Sequence, residues 1–424
     1  MKPNTQTDSK DAVNKSKNLV TISLQEKTSR IFVSSARTLW NLRLAILIVL
    51  LIILTPKNLL DKSTKLPYLH RISSLSSLKL PVKKLKASGQ KINQPLPEWA
   101  KSLPIPSRQA GKSEVEVVYN LKTPPKFKQS QELQVIVNDV VNLSSKNNLS
   151  KSPLSITLID AKTSEIAGYQ QDIPRYPASV VKMFWMVALF AQIESDIWES
   201  EDSFTPYITK MIKESDNEAA SFILDQFTDT KSSSQLNSEE FRSFRYKRQQ
   251  INRFFKNANY RNINISQKTF PIDYLNLSEP QGSELQMLGN PIWDWNKITT
   301  KQAARLIYEV CYTGQAISQK VSQKMCEFLK RDLNPNIWQK YTFAFNPVQG
   351  FLGESLSNKN IRFYSKAGLT SLARGEAAMI TTENDEKTYI LAIFAQDTEY
   401  ASNSQIFPRI SSLVYQRMNA RRGK

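Results

Sequence analysis

Histidine is almost missing from this chain: its 424 residues include one, His70. That residue lies in a Lys/Pro/Ser-rich stretch, so neither a Ser-His-Asp triad nor a His-rich metal site is available to the folded part of the chain. No metal or other cofactor is expected. Cysteine is nearly as scarce, with Cys311 and Cys326 alone. Their separation matches no zinc-site or C-x-x-C spacing. Both fall in helical patterns and are expected to be separate small core residues; an oxidising compartment would instead favour a disulfide. Acidic residues are rare near the N-terminus. Residues 1–43 hold eight Lys/Arg against three Asp/Glu, and residues 56–112 hold twelve against two, with seven prolines. These stretches carry +15 of the formal net charge of +19, so the basic character belongs to a tail and a linker and says little about a substrate. A Lys/Pro/Ser-rich segment buries too little apolar surface to offset its ordering entropy. Residues 56–112 are therefore predicted to be largely disordered, within a linker over 56–114.

The longest apolar run is Leu44–Leu54, eleven residues, extended by Leu39, Trp40 and Leu42. It is shorter than the roughly 17–25 residues of a membrane-spanning helix. A signal-peptide core would suit that length, yet the 43-residue leader and the lack of a small-x-small site after Thr55 argue against cleavage. Arg43 can snorkel and Trp40 can sit at the interface. The expected organisation is a basic tail over 1–43, an uncleaved transmembrane signal anchor over 44–55, the linker, and a globular domain over 115–424.

Within that domain, Ser179-Val180-Val181-Lys182 follows Tyr176-Pro177-Ala178 and opens an apolar helical run, Met183 to Phe190. A serine in the first turn of a buried helix, with a lysine three residues on, puts hydroxyl and amine on one face. A serine nucleophile needs such a base, because its free hydroxyl is a weak attacker. Ser76/Lys79 and Ser88/Lys91 share the spacing, so the pattern gains meaning only from two later motifs, Ser215-Asp216-Asn217 and Lys366-Ala367-Gly368. Each has a plainer reading as well: Ser179 as a helix cap, and Ser-Asp-Asn as a capping turn.

Together the three resemble the S-x-x-K, S-D-N and K-T-G elements of class A serine β-lactamases and related penicillin-binding proteins. The resemblance covers roughly residues 115–424. It implies an α/β fold of α+β type, an antiparallel sheet flanked by helices with a mainly helical subdomain and the active site between them. It further implies an exported, periplasmic serine hydrolase that forms an acyl-enzyme on β-lactam amide bonds or D-alanyl peptides of peptidoglycan, D-alanyl-D-alanine carboxypeptidase activity included. On this reading Ser179 is the nucleophile and Lys182 its base, kept neutral by desolvation and by the nearby cation of Lys366. Ser215 bridges the two lysines and relays a proton to the leaving nitrogen. Asn217 holds the substrate's side-chain amide and orients Lys182. Gly368 allows close backbone approach, the Leu369 N–H joins the Ser179 N–H in an oxyanion hole, and Arg374 anchors a substrate carboxylate. The rival expectation is a catalytically silent peptidoglycan-binding or structural domain that keeps the fold.

Three departures bear on these expectations. Ala367 stands where K-T-G has a hydroxyl residue, and one hydrogen bond to a charged group is worth about 1.5–3 kcal/mol. Only 36 positions separate Ser179 from Ser215, fewer than in typical class A enzymes. Deacylation in those enzymes uses a glutamate in an E-P-x-L-N-like loop, which Ser278-Glu279-Pro280 and Ser283-Glu284-Leu285-Gln286 each match in part. Either Glu279 or Glu284 could serve as that base, or be a solvated loop carboxylate.

Periodicity predicts helices over 132–141, 179–193, 207–213, 218–227, 299–310, 318–331 and 403–418, and strands over 155–160, 165–170, 361–366, 375–381 and 388–396. Residues 230–283 look like an insertion. Its stretch Phe241–Arg261 holds seven Lys/Arg, six aromatics and no acidic residue. The expected form is an amphipathic surface helix with a solvated cationic side, an anionic membrane surface being the alternative. No nucleic acid partner is expected for an exported domain.

Overall fold

Three C-terminal strands, buried almost end to end because both sheet faces are covered, build the centre of the domain. The structure, a computed structural model, describes residues 96–112, 117–289, 295–357 and 359–421. The tail, the anchor and most of the linker lie outside the described residues. Among the described residues no helix is long and apolar enough to cross a membrane.

The strands are β1 (Lys128–Gln129), β2 (Leu154–Asp160), β3 (Glu165–Tyr169), β4 (Ile361–Thr370), β5 (Ala373–Thr382) and β6 (Thr388–Ala395), in sheet order β1-β3-β2-β6-β5-β4. The two-residue β1 runs parallel to β3, and all other pairs are antiparallel. The β2–β6 pairing joins the start and end of the domain in one sheet, in keeping with the antiparallel sheet that the resemblance implies.

Successive strand residues point to opposite faces. Phe363, Ala367, Ala378, Ile380, Leu391 and Ile393 face one cluster, which also takes Leu133, Val137 and Val140 of α1 (Gln131–Lys146) and Ile410 and Val414 of the last helix, α12 (Ile406–Ala420). Tyr364, Ala377, Met379, Ala392 and Phe394 face a second cluster, built with the helical lobe. That lobe holds α2 (Val181–Glu194), α3 (Thr205–Thr209), α4 (Asn217–Thr228), α5 (Ser238–Arg248), α6 (Gln250–Asn257), α7 (Gly282–Leu288), α8 (Thr300–Ile307) and α9 (Gln319–Leu329). Two short helices, α10 (Pro335–Trp338) and α11 (Thr398–Ser402), complete the set.

Helix α2 explains its own position. Residues 181–192 are all buried, so it has no polar face and forms the centre of the lobe. Each large side chain among them contributes roughly 1.5–3 kcal/mol by leaving water. Phe184 meets the rings of Phe255 and Tyr260, and the Trp185 indole N–H donates to the Ile265 carbonyl at 2.8 Å.

Three expectations change here. First, residues 96–112 of the expected linker pack on the domain. Ala100 is buried, Trp99 lies 5.4 Å from the Tyr207 ring, and its N–H donates to Glu218. Apolar residues at 96, 99, 100 and 103 find the lobe despite the basic, Pro-rich surroundings. Second, the cationic side of the basic stretch is not wholly solvated: Arg242, Lys247 and Lys256 face solvent and Ile251, Phe254, Phe255 and Tyr260 join the core cluster around α2, as an amphipathic form requires, but Arg248 is fully buried. Third, Cys311 and Cys326 are joined, with Cα atoms 5.1 Å apart. A π-helical turn, Tyr308–Tyr312, brings Cys311 against α9.

The bridge closes a loop with a sequence separation of 15. Replacing both cysteines by serine should lower the unfolding free energy by about 3 kcal/mol. Urea denaturation of the two proteins measures this; superimposable transitions would show that the bridge stabilises nothing.

Candidate active site

Four of the residues singled out in the sequence meet between the sheet edge and the helical lobe. Ser179 lies in a 3-10 turn, Ala178–Val180, that feeds α2, and Ala178 ahead of it has φ +45°. Lys182 follows one turn later and is 0% exposed. Ser215 closes a π-helical turn, Lys210–Glu214, in the left-handed conformation at φ 62°. Asp216 then caps α4 through a 2.6 Å bond from the Ala219 N–H. Ser-Asp-Asn is therefore a capping turn and a site element at once: its middle residue holds the helix, and its outer two face the lysines.

Ser215 is the hub. The Lys366 ammonium donates to Ser215 Oγ at 2.9 Å and to the Ala367 carbonyl at 2.9 Å. The Lys182 amine lies 3.5 Å from the same Oγ, and bonds the Ser215 carbonyl at 2.5 Å and Asn217 Oδ1 at 2.7 Å. No hydrogen bond joins Ser179 Oγ to Lys182 among the described residues, and the lysine faces Ser215 and Asn217 instead. Catalytic hydrogen bonds are often long before substrate arrives.

Both lysines are buried, and burial lowers both pKa values. Lys182 falls to about 7, with Asp216 acting weakly in the opposite sense. Lys366 is lowered well below the ordinary lysine range, by burial first and then by Lys182 and Arg331. Two ammonium groups around one hydroxyl disfavour double protonation, which supplies a neutral amine near physiological pH.

Sheet position explains the other wall. Strand β4 is an edge strand, and Lys366 and Gly368 point from it toward the turn that carries Ser179. A Cβ at 368 would stand 2.6 Å from the Ser179 nitrogen and 2.9 Å from the Pro177 carbonyl, so only glycine permits this approach. Strand β4 turns into β5 through Ser371 and Leu372, pairing Thr370 with Ala373 and Leu369 with Arg374. In a two-residue hairpin the closing pair carries the ladder bonds, so the alternate Leu369 N–H points away from β5, toward the cleft.

Other expected residues fall elsewhere. Arg374 does not reach the cleft: it donates to the carbonyls of Tyr400, Gly350 and Ala401 at 2.7–3.0 Å and lies over the Phe351 and Phe407 rings. It fastens α11 to β5 and is not placed to anchor a substrate. Ala367 is fully buried in the cluster on the face opposite Lys366. Glu279 is exposed. Glu284 is no solvated carboxylate: it is 1% exposed and held by Arg248 through two 3.0 Å bonds and by Ser232 at 2.8 Å. Asp225 and Lys268 complete this buried network. Burial alone would raise the Glu284 pKa, but Arg248 and Lys268 hold it below the usual range.

Sequence reasoning missed Arg331. Its guanidinium donates to the carbonyls of Ile212 and Lys213, just before Ser215, and of Ser365, just before Lys366. It thereby fixes one motif against the other. Glu376 on β5 was missed as well. It is fully buried, accepts the Leu352 N–H at 2.7 Å, and burial raises its pKa to about 7. An acidic residue beside the apolar run Ala377–Ile380 of a central strand was the available signal.

A sheet covered by helices on both faces, with the Ser/Lys, Ser/Asn and Lys/Gly elements gathered at its edge, defines a protein of the serine β-lactamase and penicillin-binding-protein superfamily. Residues 199–418, just over half of the chain, match the family model described as Beta-lactamase enzyme family. The chain belongs to that family. No curated protein sequence matches it. Among solved structures it is similar to PBP-A, at 15% identity over 70% of this chain and 100% of that one, with a TM-score of 0.47. It is also similar to β-lactamases from Sphaerobacter thermophilus (15% identity, 68% and 98% coverage, TM-score 0.45) and Streptosporangium roseum (14%, 67% and 98%, TM-score 0.47).

Glu376 gives a pH test. A carboxyl whose folded pKa is raised contributes stability that is present below the unfolded value of about 4.5 and lost as pH rises through about 7. Glu376→Gln keeps an acceptor for the Leu352 N–H and cannot ionise. It should match wild type at pH 4.5 and exceed it at pH 8 by on the order of 3 kcal/mol. Urea denaturation at both pH values checks this, and an equal difference at both would contradict it.

Proposed function

We propose that this chain is a membrane-anchored, extracytoplasmic serine enzyme that is acylated at Ser179 by D-alanyl peptides and β-lactams and deacylates slowly on the latter. The observation carrying the proposal is the convergence on Ser215 of Lys366 and of Lys182, which lies one helical turn after Ser179 and also bonds Asn217. Neutral Lys182 takes the Ser179 proton as Oγ bonds to the substrate carbonyl carbon. The resulting oxyanion accepts from the Ser179 and Leu369 N–H groups. When the C–N bond breaks, the proton passes from Lys182 through the Ser215 hydroxyl to the leaving nitrogen. Lys366 holds that hydroxyl in line, and Asn217 is free to bind the substrate amide through its nitrogen.

Membership of the Beta-lactamase enzyme family supports the reaction class. The engagement of Glu284 by Arg248 supports slow deacylation, since a base locked in a buried pair cannot activate water. The Cys311–Cys326 disulfide supports an oxidising, extracytoplasmic location. The apolar run at 44–54 supports the anchor. The burial of Ala367 among apolar neighbours, with no hydroxyl at that position, favours the silent-domain alternative.

Labelling with fluorescent penicillin followed by a chase tests the proposal. Wild type should form an adduct that outlasts the chase, and Ser179→Ala should form none. The acylation rate should rise with pH up to about 7 and level off as Lys182 loses its proton. Fast turnover of the adduct would make the protein a β-lactamase; no adduct on wild type would favour the silent domain.

A further inference from the structure

A segment that precedes the family-matched residues reaches both flanks of the Ser-Asp-Asn turn. Residues 96–112 run along the helical lobe as a strap, pairing main-chain groups with its surface: the Gln109 N–H donates to the Ile197 carbonyl and the Glu199 N–H to that of Ser107. Trp99 occupies the upstream end of this strap. Its ring lies 5.4 Å from the Tyr207 ring on α3, which stacks at 4.2 Å on Phe222 of α4. The Lys210 ammonium stands over the same indole, 5.0 Å from its centre. The indole N–H donates to one oxygen of Glu218 at 3.0 Å, and the other oxygen accepts the Tyr274 N–H at 2.9 Å. One side chain thus contacts residues on both sides of Ser215–Asn217. At the far end of the strap, Arg108 lies over the Trp198 ring and bonds the carbonyls of Gln226 and Phe227, at the C-terminal end of α4.

The two flanking contacts matter because of what Lys210 and Glu218 do. Ser215 sits in the left-handed region at φ 62°, which a residue with a side chain keeps only where its surroundings over-determine it. The Lys210 carbonyl holds it there by accepting the N–H groups of both Ser215 and Asp216, while the Lys210 ammonium pairs with Glu214 at 2.8 Å. Glu218 follows Asn217 in the first turn of α4. A cation over an indole face and a carboxylate on its N–H are both directional attractions, so the half-buried ring fixes the spacing between positions 210 and 218. We infer that Trp99 is a positioning residue for acylation, holding the Ser215–Asn217 turn where Ser215 and Asn217 engage Lys182. The inference rests on the proposed function, and it places part of the reaction's geometry in a segment outside residues 199–418.

The test compares full-length wild type with Trp99→Ala, Trp99→Phe and Arg108→Ala, by the kinetics of fluorescent penicillin labelling across pH and by hydrogen exchange. Trp99→Ala should lower the acylation rate constant at saturating penicillin about tenfold, and change the half-saturating concentration by less than about twofold. Its pH midpoint should move up, because a loosened turn lets water reach Lys182, while Asp216 and Lys366, the charged groups that face this amine, are unchanged. Trp99→Phe keeps the ring contacts and loses only the N–H donor; it should recover most of the rate with a smaller upward shift, and it carries the test alone if Trp99→Ala does not fold. Arg108→Ala loosens the strap far from Ser215, so it should lower stability and leave the midpoint where it is. Amides of residues 211–217 should exchange about tenfold faster in Trp99→Ala and at the wild-type rate in Arg108→Ala. Unchanged exchange at the turn in Trp99→Ala, an unmoved midpoint, or the same midpoint shift in Arg108→Ala would overturn the inference. Normal wild-type labelling with no effect at Trp99 removes this inference alone, whereas faster exchange in Trp99→Ala with no labelling of wild type leaves the clamp on the turn and removes the acylation chemistry.

Discussion

Everything at the sheet edge depends on two buried lysines sharing the hydroxyl of Ser215. Desolvation works against both charges, and each works against the other, so the folded chain holds fewer protons here than the unfolded chain does. For Lys182, between an ordinary value near 10.5 and about 7, folding at neutral pH costs on the order of 5 kcal/mol relative to a solvated lysine. The sign follows directly: in that window stability rises with pH, because the unfolded state binds the extra proton. The arrangement does not serve stability. On the proposed reading it serves chemistry, since a neutral amine beside a serine is a base at the pH where it would act.

The surrounding structure carries that cost through contacts far from the chemistry. Helix α2 is apolar on every side, so its first turn has one permissible depth in the lobe. Gly368 sets the distance of the sheet edge from that turn, since a methyl group would collide with the Ser179 nitrogen. Arg331 then fixes the third component, linking the π-helical turn before Ser215 to the strand before Lys366 by bonds to main-chain carbonyls. Burial lowers its pKa only to about 10, so it stays cationic and keeps its donors at neutral pH. Three constraints of different kinds (apolar depth, backbone clearance and a charged clamp) converge on one crevice.

Legibility in the sequence followed locality. Ser179 with Lys182, and Ser215 with Asn217, are set by helix spacing within a few residues, and the alternating strands around Lys366 were equally readable. The order of strands and helices was readable, but that both ends share one sheet came from the family resemblance. Arg374 could have been read correctly from parity: the two-residue turn sets it opposite Leu369, on the face shared with Ala367 and away from Lys366. Arg331 was illegible, because its partners are carbonyl groups 34 to 119 positions away, and any residue offers a carbonyl. The basic stretch misled for a related reason. Four of its aromatics are buried and its Arg248 is a buried counter-ion, but composition does not distinguish a solvated cation from one whose acidic partners, Asp225 and Glu284, lie elsewhere in the chain. The disulfide was open in the sequence and decided by a π-helical turn that periodicity does not reveal.

The same Glu284 pairing bears on how an acyl-enzyme would resolve. Withdrawing one member of a buried, hydrogen-bonded ion pair costs about 3–5 kcal/mol, because the other is left uncompensated. Releasing Glu284 would strand Arg248, and with it Asp225 and Lys268, so this carboxylate cannot move between a structural and a catalytic role within a turnover. On the proposed function, water would then be activated by the lysine relay that serves acylation. For a D-alanyl peptide the leaving amine diffuses away and vacates the space beside Ser215, opening that route. The amine of an opened β-lactam remains covalently attached to the acyl group and blocks it. On the proposed function, one arrangement of side chains would therefore favour turnover of a linear peptide and arrest on a cyclic amide, with no separate inhibitory device needed.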